Sequence, residues 1–221
     1  MRDFQKKNTV VVFDLDDTLY DEYDYQTSGI RAVAEELKNL YDKDLIQTLL
    51  HWRDQGVKDI FGKVCKVLQL PIEVKRSLVW IYRLHDPDIA LHDDVREALV
   101  AIQRMVKRIM ILTDGRSISQ RKKLKALCLN DIEVYISEEY SSEKPKPERF
   151  RIIMNSCFAD KYYYIGDNPK KDFLAPNALG WITVGIRNNN ALHEQNVDGS
   201  ETMSSPSIWI KSIREIVELL C

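Results

Sequence analysis

The residues of this chain best placed to do chemistry are Asp14 and Asp16, within Phe13-Asp14-Leu15-Asp16-Asp17-Thr18-Leu19. They follow an apolar run, Val10-Val11-Val12-Phe13, whose β-branched residues predict a buried strand. Carboxylates at the end of such a strand fall on the carboxyl edge of a sheet, where open α/β sheets bind ligands. In extended backbone, residues two apart point the same way. Asp14 and Asp16 can then act on one reacting group, one as nucleophile and the other as acid/base. The same Asp-Asp-Thr would also serve as a turn followed by a helix N-cap, so the pair alone does not choose between the two.

Three further polar clusters follow predicted strands. Leu112 runs into Thr113-Asp114-Gly115, where a hydroxyl and the succeeding backbone N–H groups can hold phosphate oxygens, or simply form a glycine turn. Ile136 leads through an acidic stretch to Lys144-Pro145-Lys146-Pro147. The prolines stiffen this segment, and a lysine on a rigid loop can neutralise a phosphoryl group; a proline-rich helix entry is the plainer alternative. Ile165 runs into Gly166-Asp167-Asn168-Pro169-Lys170-Lys171-Asp172. Asp167 and Asp172, facing Asp14, can complete an oxygen-only cage for Mg²⁺, or form an Asx turn and a cap.

Positioning these clusters requires alternating strands and helices. After the strand at Val10, helical spacing dominates residues 21 to 85. A first helix carries Ile30, Val33, Ala34, Leu37, Leu40 and Tyr41, with Thr27 or Ser28 as its cap. Further helices are predicted at Leu45 to Trp52, at Val57 to Leu68 and from Pro71 onward. Trp52, Phe61 and Trp80 are expected in the core of this small bundle. From His92 the chain alternates. Helices at Asp94 to Val106, Ser119 to Leu127, Pro147 to Asn155 and Asp172 to Ala178 interleave with strands at Arg108, Ile132, Tyr162 and Trp181. A last strand at Ser207 and a terminal helix close it. The expected fold is α/β: a Rossmann-like parallel sheet with helices on both faces, plus a small helical bundle. The polar stretch Arg187 to Pro206 reads as a surface loop.

A chain of 221 residues with 44% hydrophobic and 30% charged content is long enough for a sizeable core in one or two domains. Its 32 basic and 34 acidic residues supply no basic field for nucleic acid; the Lys/Arg cluster at Arg116 to Lys125 is expected to be a solvated helix face. The four cysteines are scattered with no C-x-x-C pair, which argues against zinc and redox motifs and for buried free thiols. The run at Val10 is too short for a signal peptide or membrane span, so a cytoplasmic protein is expected, without membrane or nucleic-acid partners.

Taken together, the four clusters resemble the motifs of the haloacid dehalogenase (HAD) superfamily of phosphohydrolases. Asp14-Leu15-Asp16-Asp17-Thr18 is similar to its first motif, Thr113 to its second, Lys144 to its third, and Gly166-Asp167 through Asp172 to its fourth. Leu91 to Leu99, and Gln120 with Lys123-Leu124, also follow its pattern. The resemblance implies a core domain of residues 1–20 and 89–221 and a helical cap domain of residues 21–88. Cys128 and Ser142 stand where many relatives carry glycine, and Asp114 where asparagine is common.

The resemblance further implies a Mg²⁺-dependent hydrolase of a small phosphomonoester such as a nucleotide or sugar phosphate. Mg²⁺ would be held by the Asp14 carboxylate, the Asp16 backbone carbonyl and Asp167. Asp14 would attack phosphorus and Asp16 would serve as acid/base. Thr113 and Lys144 would bind phosphoryl oxygens, with Asp114 and Gly115 beside them. Asp172 would position Lys144 or a metal-bound water. A dehalogenase or phosphonatase is disfavoured by Asp16. A phosphomutase, using the same two aspartates, and a non-catalytic phosphometabolite-binding protein are the alternatives.

Overall fold

The computed structural model describes residues 7–187 and 202–221. The strands are β1 (Lys7–Phe13), β2 (Val106–Thr113), β3 (Glu133–Ile136), β4 (Lys161–Gly166), β5 (Ile182–Ile186) and β6 (Ile208–Ile210). They form one sheet in the order β3-β2-β1-β4-β5-β6, and every neighbouring pair is parallel. The chain begins in the middle of the sheet and builds outward in both directions. The strand order therefore reverses at β1, where a doubly wound sheet opens a crevice at its carboxyl edge.

The β1 sequence explains its central place. Val10, Val11, Val12 and Phe13 are all fully buried, and alternate side chains enter two different cores. Val11 and Phe13 pack with α5 (Asp93–Met105) and α11 (Arg214–Leu219) residues such as Ala98, Ile102 and Ile216. Val10 and Val12 pack with Phe150 and Ile153 of α8 (Glu148–Ser156) and with Phe173. A continuous apolar run suits a strand covered on both faces.

Between β1 and β2 lie α1 (Glu22–Tyr41), α2 (Ile46–Asp54), α3 (Ile60–Val67) and α4 (Val74–Leu84), before α5. These four helices bury their own core of Ile30, Val33, Ala34, Leu37, Leu49, Val64, Cys65 and Leu78. Helix α1 starts at Glu22, so Thr27 and Ser28 do not cap it. Their hydroxyls find other uses: Thr27 donates to the Tyr23 carbonyl, and Ser28 Oγ accepts the Asp88 N–H at the return toward the sheet. Helix α4 starts at Val74, after a turn at Pro71. Trp80 is exposed, whereas Trp52 and Phe61 pack on the bundle core.

The remaining helices are α6 (Ser117–Ala126), α7 (Ser137–Tyr140), α9 (Pro169–Asp172) and α10 (Leu174–Ala178). The short α7 is a turn the sequence pattern missed, and the helix expected near Asp172 is split into α9 and α10. Cys128 adopts φ 57° just beyond α6, the left-handed conformation for which glycine is favoured. At the other departure the left-handed residue is Ser141, with φ 49°, and not Ser142. Cys65 and Cys157 are buried, but Cys128 and Cys221 are exposed free thiols. Most of the expected 187–206 loop lies outside the described residues. Its end carries a short 3-10 turn at Thr202–Ser204, and Asn177 donates to the Met203 and Ser205 carbonyls. Among the described residues, no helix is long and apolar enough to cross a membrane.

Candidate active site

Four loops meet at the carboxyl edge of β1, β2 and β4. They enclose a cleft of about 150 Å³ lined by Asp14, Asp16, Asp17, Glu22, Thr113, Asp114, Lys144, Asp167, Asn168, Lys171 and Asp172. A larger groove, about 670 Å³, lies at the amino ends of β2 and β3, but it gathers none of these groups. The small cleft is the chemically equipped one.

Asp14 is the first residue beyond β1, held by its N–H on the Ile165 carbonyl of β4 at 2.8 Å. Its carboxylate lies 2.9 Å from Lys144 Nζ. The same ammonium lies 2.6 Å from Asp172 Oδ1 and 3.1 Å from the Tyr164 hydroxyl. Asp172 is fully buried, and its other oxygen accepts the Asn168 N–H at 2.8 Å. Gly166 makes this possible: a Cβ there would sit 2.5 Å from Asp172 Oδ2. Burial pushes the Asp14 carboxyl up to about 7, with Asp172 and Asp16 adding to the rise and Lys144 opposing it. Burial opposes charge on Lys144 as well, but Asp14 and Asp172 hold its ammonium well above the usual lysine range.

Asp14, Asp167 and Asp172 each offer a carboxylate oxygen, all within 4.8 Å of one another. Burial, then the charges of Asp172, Asp14 and Asp17, push the Asp167 carboxyl up to about 9. Three buried carboxylates this close together, two of them against Lys144, are a donor set that a hard divalent cation suits. All-oxygen donors suit Mg²⁺. The donor chemistry therefore fits the ion that the sequence motifs imply.

Asp16 belongs to a different network. It accepts from Lys123 Nζ at 2.7 Å, the Tyr20 hydroxyl at 2.5 Å and Gln120 Nε2 at 2.8 Å. Burial would raise its carboxyl, but the Lys123 charge and these three donors outweigh it and hold Asp16 below the usual aspartate value. Gln120 Nε2 also lies 3.0 Å from Thr113 Oγ1 and 2.7 Å from the Asp114 carbonyl, so it bridges the β1 and β2 loops. Gln120 and Lys123 are both buried, three residues apart on one face of α6. The basic face is mainly solvated, as expected, with Arg116, Arg121 and Lys125 exposed, but Lys123 is the exception and points into the site. The i, i+3 spacing was a signal available in the sequence.

Thr113 is buried at the end of β2. Gly115, with φ 141°, turns away from the cleft and donates its N–H to Ser137 Oγ at 2.9 Å. That amide is engaged by the protein, so the expected phosphate contact from Gly115 is not what the geometry offers. The Asp114 carboxylate accepts the Lys144 N–H at 3.1 and 3.2 Å and is paired with Arg149. Nothing in the residue pattern singled out Arg149, which is fully buried on α8. Glu22, in the first turn of α1, reaches the cleft from the helical bundle. Burial, with Asp16 adding to it, pushes its carboxyl up to about 7.

Fold and site define a doubly wound α/β protein with a buried carboxylate–lysine centre at its topological switch point. Residues 11–186 match the family model of haloacid dehalogenase-like hydrolases, and the chain belongs to that family. Curated relatives named glyceraldehyde 3-phosphate phosphatase include one from Methanocaldococcus jannaschii, 25% identical over 95% of this chain and 96% of that protein. Another, from Methanopyrus kandleri, is 26% identical with the same coverage. Among solved structures, a HAD-hydrolase from Bacillus subtilis bound to magnesium superposes with TM-score 0.67 at 18% identity, covering 97% of this chain and 99% of that one. A HAD phosphatase from Thermococcus onnurineus gives TM-score 0.59 at 18% identity, covering 98% of both. The fold and the family expected from the sequence are thus the ones found.

Proposed function

We propose that this protein is a Mg²⁺-dependent phosphatase that cleaves a small phosphomonoester through an aspartyl-phosphate on Asp14. The observation that carries the reading is the position of Asp14: first beyond the central strand, within reach of Lys144, and in a cluster with Asp167 and Asp172. The phosphatase names of the curated relatives support the reaction class and make a triose phosphate the first substrate to try. A cleft of about 150 Å³ supports a leaving group of a few carbons. Helices α1 to α4 are the cap domain in this reading, with Glu22 at its edge nearest the cleft.

Asp14 attacks phosphorus as its P–O bond to the leaving group breaks. Asp16, held ionised in the resting site by Lys123 and its other donors, takes the proton that a monoanionic ester brings and passes it to the departing oxygen. Water then attacks the aspartyl-phosphate, Asp16 takes up a proton from it, and inorganic phosphate leaves. Thr113 and Lys144 hold the phosphoryl oxygens, and Asp172 with Tyr164 fixes the lysine. Asp14, Asp167 and the Asp16 carbonyl would hold a Mg²⁺ ion, which would offset phosphate charge and let the anionic Asp14 approach.

The test is phosphate release from a panel of triose, sugar and nucleotide monophosphates, with Mg²⁺ and with EDTA, alongside Asp14→Asn. Metal-dependent release that vanishes in the variant is the expected result. Release that persists in purified Asp14→Asn would sink the assignment. Phosphoryl return to substrate without free phosphate would instead favour a mutase.

A further inference from the structure

We propose that Asp114 and Arg149 are positioning residues for Lys144: a carboxylate–guanidinium pair, its arginine fully buried and its aspartate partly so, that ties the ends of β2 and β3 to the lysine loop. This rests on the reading of Lys144 as the group that binds the transferring phosphoryl oxygens. Arg149 is fully buried on α8, the helix whose Phe150 and Ile153 enter the core. Its Nη1 donates to the Thr113 carbonyl at 2.7 Å and to the Tyr135 carbonyl at 3.0 Å, and its Nη2 pairs with Asp114 Oδ1. The Asp114 carboxylate in turn accepts the backbone N–H of Lys144.

One planar group thus collects three acceptors from two strand ends. Its counter-ion fixes the backbone of the residue whose ammonium sits between Asp14 and Asp172. A guanidinium is the side chain suited to this: its donors leave in a fixed fork, and its charge persists when buried. An apolar residue of similar volume would be cheaper to bury at this place, but it could not orient the loop. The pair also accounts for a carboxylate at position 114. A neutral amide there would leave Arg149 as an uncompensated buried charge.

The experiment compares Asp114→Asn, Arg149→Met, Arg149→Lys and the neutral double variant Asp114→Asn/Arg149→Met with the parent protein. Two readouts are taken: kcat and KM for p-nitrophenyl phosphate with Mg²⁺, and the hydrogen-exchange rate of the Lys144 amide. A misplacement of about 1 Å in a catalytic group costs on the order of 100-fold. We expect kcat to fall at least 10-fold in every variant, KM to change less than 3-fold, and Lys144 amide exchange to quicken. The double variant should regain melting temperature relative to the singles but not kcat. Arg149→Lys keeps the charge and loses the fork, so it should not restore kcat. The proposal falls if the double variant, folded, has kcat within twofold of the parent and unchanged Lys144 exchange. If the parent itself releases no phosphate from any ester, the phosphatase reading falls, and the exchange rates alone decide the positioning claim.

Discussion

Replacing Lys144 with methionine removes the one ammonium that touches both Asp14 and Asp172 while keeping much of its length. The side chain is buried, with contacts of 2.9 Å to Asp14, 2.6 Å to Asp172 and 3.1 Å to the Tyr164 hydroxyl. Breaking a buried pair by deleting one partner costs about 3–5 kcal/mol, because the remaining charge is left uncompensated. Loss of Lys144 lifts the Asp14 carboxyl, already pushed up to about 7, still further, so its protonation offsets part of this cost even at pH 8. At pH 8 in EDTA we therefore expect a loss near the lower bound, about 3 kcal/mol. For a chain of this size that lowers Tm by about 6–12 °C. Mg²⁺ should then raise the Tm of the variant more than that of the parent, since the carboxylate cluster has lost its internal counter-ion and binds a cation more tightly. Turnover should fall about 10²–10³-fold, the usual cost of removing one donor that stabilises a transition-state oxyanion. Melting curves with and without Mg²⁺, together with phosphate release, check all three. A Tm in EDTA within 2 °C of the parent, by the same scaling, with no extra Mg²⁺ stabilisation, would refute the picture of Lys144 as the cluster's counter-ion.

Three further outcomes follow from the same geometry. In the metal-free protein, Asp14 (about 7), Glu22 (about 7) and Asp167 (about 9) are raised above ordinary carboxylate values, so between about pH 4 and 9 the folded state binds more protons than the unfolded one. Stability should fall as pH rises through that window, with His85, held low by burial, pulling weakly the other way; an EDTA melting series that is flat or rising contradicts this. Lys123→Met removes a donor that fixes the Asp16 carboxylate in place, so the misaimed acid should lower kcat/KM at least about 10-fold for an alkyl phosphate and less for p-nitrophenyl phosphate, whose leaving group needs no proton. Equal losses on both esters would mean that Lys123 does not act through Asp16. Thiol titration of the native protein should find Cys128 and Cys221 reacting quickly, with Cys65 and Cys157 reacting only after unfolding. Four equally fast thiols would contradict the packing.

The local elements were readable because their signals are local. Val10 to Phe13 announced a doubly covered strand, and period 3.6 from Ile30 to Tyr82 announced the bundle. The errors fell where a side chain has two possible partners. Thr27 and Ser28 are good caps by type, yet the helix begins five residues before Thr27, and their hydroxyls serve Tyr23 and Asp88. Trp80 has the composition of a core residue, but its helix turns it outward.

The motifs by themselves placed Asp14, Asp16, Thr113, Lys144, Asp167 and Asp172 at strand ends, because a strand followed by a polar cluster is a contiguous pattern. Only the tertiary structure decided how those groups divide. Asp14 and Asp172 share Lys144, Asp167 joins their cluster, and burial pushes the Asp14 and Asp167 carboxyls up. Asp16, two residues from Asp14, is claimed by Lys123, Gln120 and Tyr20 and pushed the other way. Arg149 became visible only when α8 was laid against the ends of β2 and β3. The physical reason is that chain neighbours determine backbone conformation, whereas the charge state and aim of a buried side chain depend also on groups far along the chain, such as Lys123 beside Asp16 and Lys144 beside Asp14, that folding brings within 2.9 Å.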